Sequence, residues 1–156
     1  MDLKQLYQDI ILEHGKSPRN LGKCEGYSHE AKGYNPLCGD RVHVYLKLDT
    51  VKKVENLTFE GDGCAISLAS ASIMTELIKG RSVNDAKEIM SAFLNMIKNT
   101  SEMKSNHLDE DQKTKIMSLS GVKQFPMRVK CATLSWHTLN SAMEGKKEKV
   151  NTEVID

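Results

Sequence analysis

The stretch that decides the fold is Arg41-Val-His-Val-Tyr-Leu-Lys-Leu48, in which polar and apolar positions alternate. Successive side chains of a β-strand point to opposite faces, so this alternation predicts a strand with one buried face and one solvated face. A turn near residues 49–53 separates it from residues 54–60, which are predicted to form its antiparallel partner. Residues 26–34 are a candidate for a third strand.

Helical patterns flank these strands on both sides. Apolar residues recur every three or four positions, which indicates amphipathic helices, and glycine, serine and proline mark their boundaries. The predicted helices are residues 3–14 with a stop at Gly15, the segment from Gly63 to Gly80, the segment opening at Ser82 and the segment opening at Pro126.

The order of these elements indicates an α+β fold. We expect a small antiparallel sheet of about three strands, covered by helices on one face. Residues 99–115 are polar without a clear period and are predicted to leave the core, with partial helix at most. Residues 1–143 are predicted to be a single domain, and residues 144–156 a polar C-terminal tail without fixed structure.

Composition narrows the class of protein. Lys and Arg together number 22 and Asp and Glu 21, a net charge of +1 that argues against a nucleic-acid partner. The sequence shows neither a secretory signal nor an apolar run long enough to span a bilayer, so we expect a cytoplasmic protein without a membrane partner. In that reducing compartment the four cysteines are expected to be buried thiols, metal ligands or reactive groups.

Cys38 and Asp40 form the first candidate site. They stand two residues apart in a turn-forming stretch just before the strand, with Gly39 between them. Residues two apart in extended backbone project to the same side, so the thiol and the carboxylate can converge on one point. The glycine permits a tight approach.

Cys64 and Cys131 are the other two candidates. Cys64 stands where a strand leads into a helix, and the positive end of the helix dipole is expected to favour its thiolate. Cys131 lies one turn into the last helix, where Arg128 and Lys130 are expected to favour the thiolate and to offset negative charge. Three thiolates and one carboxylate make a feasible four-coordinate site for zinc or ferrous iron.

Plainer interpretations stay open at this level. A single cysteine is more often a small buried apolar residue than a ligand, and the spacing of these cysteines matches no compact zinc pattern. Cys24 has no carboxylate partner and no helix start beside it, so it is interpreted as incidental. A hydrolase with a Cys nucleophile would need a histidine near one cysteine, and nothing in the sequence places one there. A purely structural zinc domain would leave Asp40 without a purpose.

The same motifs resemble a known family. The chain is similar, over about residues 3–143, to the iron–sulfur cluster assembly scaffold family of IscU and the NifU N-terminal domain, specifically its SufU-like branch. The matching segments are Leu6–His14, Ser17–Asn20, Asn35-Pro-Leu-Cys-Gly-Asp40, Phe59-Glu-Gly-Asp-Gly-Cys-Ala-Ile-Ser67 and Phe125-Pro-Met-Arg-Val-Lys-Cys-Ala-Thr-Leu134.

The resemblance implies a site and two functions. It implies that Cys38, Asp40, Cys64 and Cys131 hold zinc, iron or an iron–sulfur cluster. Lys130 stands where IscU proteins carry His, and the polar excursion is longer than theirs; both features resemble the SufU branch. That branch implies a zinc-bound protein that accepts persulfide sulfur on Cys38 from a SufS-like cysteine desulfurase.

The alternative is an IscU-type scaffold that builds a cluster and passes it to carriers or apo-proteins. In either case the expected chemistry is not hydrolytic. At most, the protein is a zinc-dependent sulfurtransferase that acts together with the desulfurase.

Overall fold

The computed structural model describes residues 2–99, 103 and 105–153 of the chain. Residues 100–102 and 104 of the predicted excursion, and residues 154–156 of the predicted tail, lie outside this description. The elements are, in chain order, helix α1 (Leu3–Lys16), strands β1 (His29–Asn35), β2 (Asp40–Leu48) and β3 (Val54–Asp62), helices α2 (Ala65–Ile78), α3 (Val83–Lys98) and α4 (Glu110–Met117), a 3-10 helix (Ser118–Gln124), helix α5 (Pro126–Met143) and strand β4 (Val150–Asn151).

The sheet has the strand order β3-β2-β1-β4. Strand β2 pairs antiparallel with both β1 and β3, so the three predicted strands and the α+β class are confirmed. The short strand β4 adds a fourth, parallel to β1, which makes the sheet mixed rather than purely antiparallel.

The alternating stretch in β2 faces as predicted, apart from one residue. Val42, Val44 and Leu46 are buried against the helices. Tyr45, on the opposite face, is only 4% exposed although it was expected to be solvated. Its ring stacks on His43 at 4.1 Å and its hydroxyl donates to Glu60, so polar neighbours cover the tyrosine on the open face of the sheet.

The core lies between the sheet and the helices. Trp136 on α5 stacks on Phe93 of α3 at 4.3 Å, and its indole N–H donates to Ser70 Oγ at 2.9 Å. Helix α5 can lie directly on β1 because Gly33 has no side chain: a Cβ there would collide with Thr138 Oγ1. This close contact brings the N-terminal end of α5 to the turn that follows β1.

Two predicted helix boundaries need correction or detail. Helix α1 does not stop at Gly15 but continues to Lys16. Gly15 is a packing residue, since a Cβ there would lie 3.0 Å from the Ala65 carbonyl oxygen at the start of α2. The predicted cap of α3 is confirmed, because Ser82 Oγ accepts from the Asp85 amide.

The excursion contains one short helix. In α4, Asp109 caps the amide of Gln112 while the Gln112 side chain accepts from the Asp109 amide, and this capping box stabilises a helix of only 8 residues.

Among the described residues, no helix combines the length and the apolar character that crossing a membrane requires.

Part of the predicted tail is ordered. Val150 and Asn151 pair with Gly33 and Tyr34 of β1, and Thr152 is only 3% exposed. The expectation of a tail without fixed structure is therefore wrong for these residues. The sequence signal was weak, because the strand is two residues long and its partner lies more than a hundred positions earlier in the chain.

Candidate metal site

Three predicted ligands converge where the hairpin of β1 and β2 meets α5. Cys38 lies in the hairpin turn, Asp40 opens β2, and Cys131 lies in the second turn of α5. One ligand atom from each of the three lies within 4.8 Å of the other two. The two sulfur atoms are 3.4 Å apart. Sulfur and carboxylate oxygen at this spacing are donors that one metal ion can share.

Asp40 is the best-supported member of the group. It is fully buried, and each of its carboxylate oxygens accepts a hydrogen bond. Asn35 Nδ2 donates to Oδ2 at 3.0 Å, and the amide of Cys64 donates to Oδ1 at 2.9 Å. A buried carboxylate needs such partners, and these two fix its orientation toward the sulfur atoms.

Cys64 lies at the N-terminus of α2, beside this group. Its Sγ caps the helix by accepting from the Ser67 amide at 3.4 Å. In the described part of the chain, Cys64 is not in the set whose ligand atoms all lie within 4.8 Å. The structure therefore brings three of the four predicted ligands together and places the fourth at their edge, where its amide donates to Asp40.

The thiols of Cys64 and Cys131 differ in proton affinity. A hydrogen bond from Cys131, with further help from the Ser67 amide, lowers the pKa of Cys64 to about 6 against the opposing effect of burial. The same hydrogen bond, together with burial and the nearby Asp40, raises the pKa of Cys131. Without a metal, this hydrogen bond therefore favours the thiolate at Cys64 and the protonated thiol at Cys131.

The two predicted cationic residues have different positions. Arg128 lies one helical turn before Cys131, and its hydrogen bond to Cys131, together with the negative charge that the cysteines carry as thiolates, raises the pKa of the guanidinium. Lys130, which was also expected to offset the charge of the site, has its Nζ 2.8 Å from Glu153 Oε1 in the C-terminal segment, residues 149–153. The reason is helical geometry, because adjacent residues are rotated by about 100° whereas residues three apart share a face.

We call Cys38, Asp40, Cys64 and Cys131 together the sulfur site. A second group of possible ligands, the α3 cluster, consists of Asp85, Glu88 and His107. His107 Nε2 contacts Glu88 and lies 3.8 Å from Asp85 Oδ1. The Glu88 side chain is 68% exposed, so this cluster lies at the protein surface.

Comparison with known proteins decides the family. The profile of the NifU-like N-terminal domain family matches residues 6–149. The chain belongs to this family. Its relatives include the zinc-dependent sulfurtransferase SufU of Bacillus subtilis, 41% identical over 91% of this chain and 92% of the relative. They also include the iron–sulfur cluster assembly scaffold protein IscU of Streptococcus pyogenes, 34% identical over 91% and 85%.

Solved structures agree with this assignment. The crystal structure of a putative iron–sulfur cluster assembly scaffold protein for the SUF system, from Fervidobacterium islandicum, superposes with a TM-score of 0.78 and 37% identity. The match covers 89% of this chain and 97% of that one. The resemblance inferred from the three cysteine motifs is confirmed.

The donor set of this NifU-like domain suits a thiophilic ion. Cysteine sulfur selects zinc or iron over magnesium and calcium, which prefer oxygen ligands. A buried carboxylate with two donors, beside closely spaced thiols, also gives the charge that a divalent ion requires. The residues therefore fit either zinc or the iron of a cluster.

Two residues of the site were not singled out from the sequence. Asn35 opens the first cysteine motif, residues 35–40. The signal that could have identified it is its pairing with Asp40 at the end of the β1–β2 hairpin. Thr152 donates to Asn35 Oδ1 at 3.0 Å. Nothing local in the sequence marks Thr152, because its partner is supplied by the fold.

Proposed function

We propose that this chain is an iron–sulfur cluster assembly protein of the SufU type, which accepts persulfide sulfur on Cys38 from a cysteine desulfurase. The observation that carries the proposal is the grouping of Cys38 with Asp40 and Cys131 within 4.8 Å. Cys38 alone of these three is partly exposed, while Asp40 and Cys131 are fully buried. Within this group of three, the Cys38 thiol is therefore open to a partner protein, and the other two side chains are enclosed.

The ligands proposed for zinc are Cys38, Asp40 and Cys131, with Cys64 beside them as the fourth. A bound zinc ion would keep the thiols deprotonated at neutral pH. The relative from Bacillus subtilis is named as zinc-dependent, which supports this assignment.

The proposed reaction transfers one sulfur atom. The Cys38 thiolate attacks the terminal sulfur of the desulfurase persulfide, and a new S–S bond forms. The old S–S bond breaks, and the desulfurase cysteine leaves as a thiolate. Cys38 now carries the persulfide, no electrons are gained or lost overall, and no further reactant is required.

Position in the fold supports Cys38 as the acceptor. It lies in a turn between exposed Leu37 and exposed Gly39, and Gly39 has φ +73° with open space around it. Cys131, by contrast, is enclosed in α5, and Cys64 caps α2. Arg128, exposed beside the thiols, supplies positive charge that favours the approach of an anionic persulfide.

A scaffold function is the second candidate. The relative from Streptococcus pyogenes is named as a scaffold, and the same four side chains would hold a cluster as cargo on its way to carriers or apo-proteins. One carboxylate among sulfur ligands favours release, since oxygen is the weaker ligand for iron in a cluster. A cytoplasmic location and a single-domain organisation stay predictions.

The decisive test is cysteine turnover by the desulfurase of the same organism. Zinc-loaded protein should raise turnover at least about tenfold, because sulfur leaves the enzyme faster when an acceptor thiol is positioned. Cys38→Ala should abolish the stimulation, and mass spectrometry should find one added sulfur atom on Cys38 of the unmodified chain.

Cys24→Ala is the matched control. Cys24 is buried, its Sγ lies 3.5 Å from Asn56 Nδ2, and it takes no part in the sulfur site. This variant should therefore stimulate the desulfurase as strongly as the parent does. Absence of stimulation by the zinc-loaded parent would overturn sulfur acceptance. Anaerobic assembly of a cluster on the same protein would then favour the scaffold function.

A further inference from the structure

The C-terminal segment, residues 149–153, reaches the sulfur site through hydrogen bonds. Thr152 Oγ1 donates to Asn35 Oδ1 at 3.0 Å, and the amide nitrogen of the same asparagine donates to Asp40 Oδ2 at 3.0 Å. That nitrogen also lies 3.5 Å from Cys131 Sγ. The hydroxyl of one threonine is therefore linked, through one side-chain amide, to two proposed ligands.

All four groups are shielded from water. Asn35, Asp40 and Cys131 are fully buried, and Thr152 is 3% exposed. A buried amide has few ways to satisfy its donors and its acceptor, so its orientation depends on the partners on both sides. With the threonine hydroxyl on Oδ1, the NH₂ group is turned toward the carboxylate and the thiol.

The segment is held by several contacts of its own. The Thr152 amide donates to the Tyr34 carbonyl at 3.1 Å, continuing the β4–β1 pairing. Lys149 Nζ lies 5.2 Å from the centre of the Tyr34 ring. Glu153 pairs with Lys130 of α5 at 2.8 Å. These contacts fasten the segment both to the sheet and to the helix that carries Cys131.

From this arrangement we infer that Thr152 is a positioning residue for the sulfur site, acting through Asn35 to hold Asp40 in its ligating orientation. Docking of the C-terminal segment therefore stabilises metal binding at the sulfur site; we call this the latch. This inference rests on the proposed function in so far as the sulfur site must hold a metal. Residues that orient metal ligands from outside the coordination shell commonly change metal affinity by about 10- to 100-fold when they are replaced.

The experiment measures the loss of zinc to a chelator from the full chain. Thr152→Val keeps the shape of the side chain but removes the donor, so zinc should leave about tenfold faster. Thr152→Ser keeps a hydroxyl and should restore most of the parent's slow release. Thr75→Val is the matched control, because it removes a buried hydroxyl that donates to the Ser72 carbonyl within α2. Its release rate should equal the parent's.

Two further measurements distinguish positioning of Asp40 from a general loss of stability. The visible absorption bands of the cobalt(II)-loaded chain should shift in Thr152→Val and not in Thr75→Val, because these bands report ligand geometry. In an Asn35→Ala background, Thr152→Val should have no further effect on release, since the linking amide is gone.

Reciprocity supplies a test without mutation. If the docked segment strengthens metal binding, metal must strengthen docking by the same factor. Hydrogen exchange at the Thr152 amide should therefore slow by about tenfold when zinc is added to the unmodified chain. This measurement also decides the matter if Thr152→Val does not fold.

The outcomes are distinct. A parent chain that binds neither zinc nor cobalt would overturn the proposed function itself. A parent that binds zinc, combined with unchanged release from folded Thr152→Val or with unchanged exchange at Thr152, would overturn the latch alone.

Discussion

The sulfur site and the α3 cluster both gather possible metal ligands, but their surroundings differ. In the sulfur site, Asp40 and Cys131 are fully buried, and a second layer of donors holds the carboxylate. In the α3 cluster the ligand groups face solvent, and their contacts are explained as ion pairs around His107. Soft sulfur donors, burial and an oriented second layer are the features that favour zinc binding, whereas proximity of ligand residues alone does not.

The largest expected effect is the loss of zinc on removing a buried ligand. Cys131→Ser should weaken zinc binding by more than about 100-fold, because it removes a ligand rather than a group that orients one. Equilibrium competition with a chelator measures the affinity. The parent should bind one zinc ion per chain. Binding of a second zinc ion that is lost when His107 is replaced would show that both clusters bind metal.

The next effect concerns the reactivity of the metal-free thiols. The pKa of Cys64 lies near 6 instead of the ordinary 9.0, so its alkylation rate should level off above pH 6 and fall about tenfold per pH unit below it. Cys131, whose pKa is raised, should stay unreactive at neutral pH. Mass spectrometry after timed iodoacetamide treatment measures both thiols.

The denatured chain is the control for this measurement. There the rate at Cys64 should continue to rise toward pH 9, because the partners that favour its thiolate are lost. Identical pH profiles in the folded and the denatured chain would show that the sulfur site does not tune this thiol.

A smaller effect is expected at Gly63, which separates β3 from the Cys64 cap. A Cβ at this position would collide with Asp40 Oδ1 and lie 3.0 Å from its Cγ, at φ +156°. Gly63→Ala should therefore lower the free energy of unfolding by about 1–3 kcal/mol and speed zinc release. Chemical denaturation and chelator kinetics measure the two quantities.

Gly22→Ala is the matched control for backbone strain. Gly22 has φ +131°, but no atom of the described residues lies within 4 Å of the place where a Cβ would stand, so the variant carries strain without a clash. It should cost stability of about 1 kcal/mol and leave zinc release unchanged. Equal zinc release from both glycine variants would show that Asp40 tolerates displacement.

The smallest effect is expected in the α3 cluster. His107→Asn should change the free energy of unfolding by less than about 1 kcal/mol, because partly exposed ion pairs contribute little. Its zinc content should match the parent's within error by metal analysis. A drop in bound zinc would contradict this expectation and would show that the α3 cluster also binds zinc.

Local patterns in the sequence were sufficient for most of the fold. The alternation in β2 and the capping serine of α3 act over a few residues, and the structure confirms both. The boundary at Gly15 was predicted wrongly because its reason is contact with Ala65, fifty positions away. Strand β4 was missed because it exists only through its pairing with β1.

The candidate site divides in the same way. The cysteines and Asp40 were predicted from turns, a helix start and a family resemblance, and three of these residues converge in the structure. Lys130, expected to offset the charge of the site, pairs with Glu153 instead, because adjacent helical residues are rotated by about 100° from each other. Asn35 and Thr152 become visible only when the hydrogen bonds of the buried carboxylate are followed outward.

Strand β4 also bears on how the protein behaves at high concentration. By pairing with Gly33 and Tyr34, it covers backbone groups on the outer edge of β1 that would otherwise be free to pair with another chain. A chain shortened to end at Met143 would uncover that edge and should self-associate. Protein prepared for study should therefore include residues 144–153, because their removal would expose an aggregation-prone sheet edge.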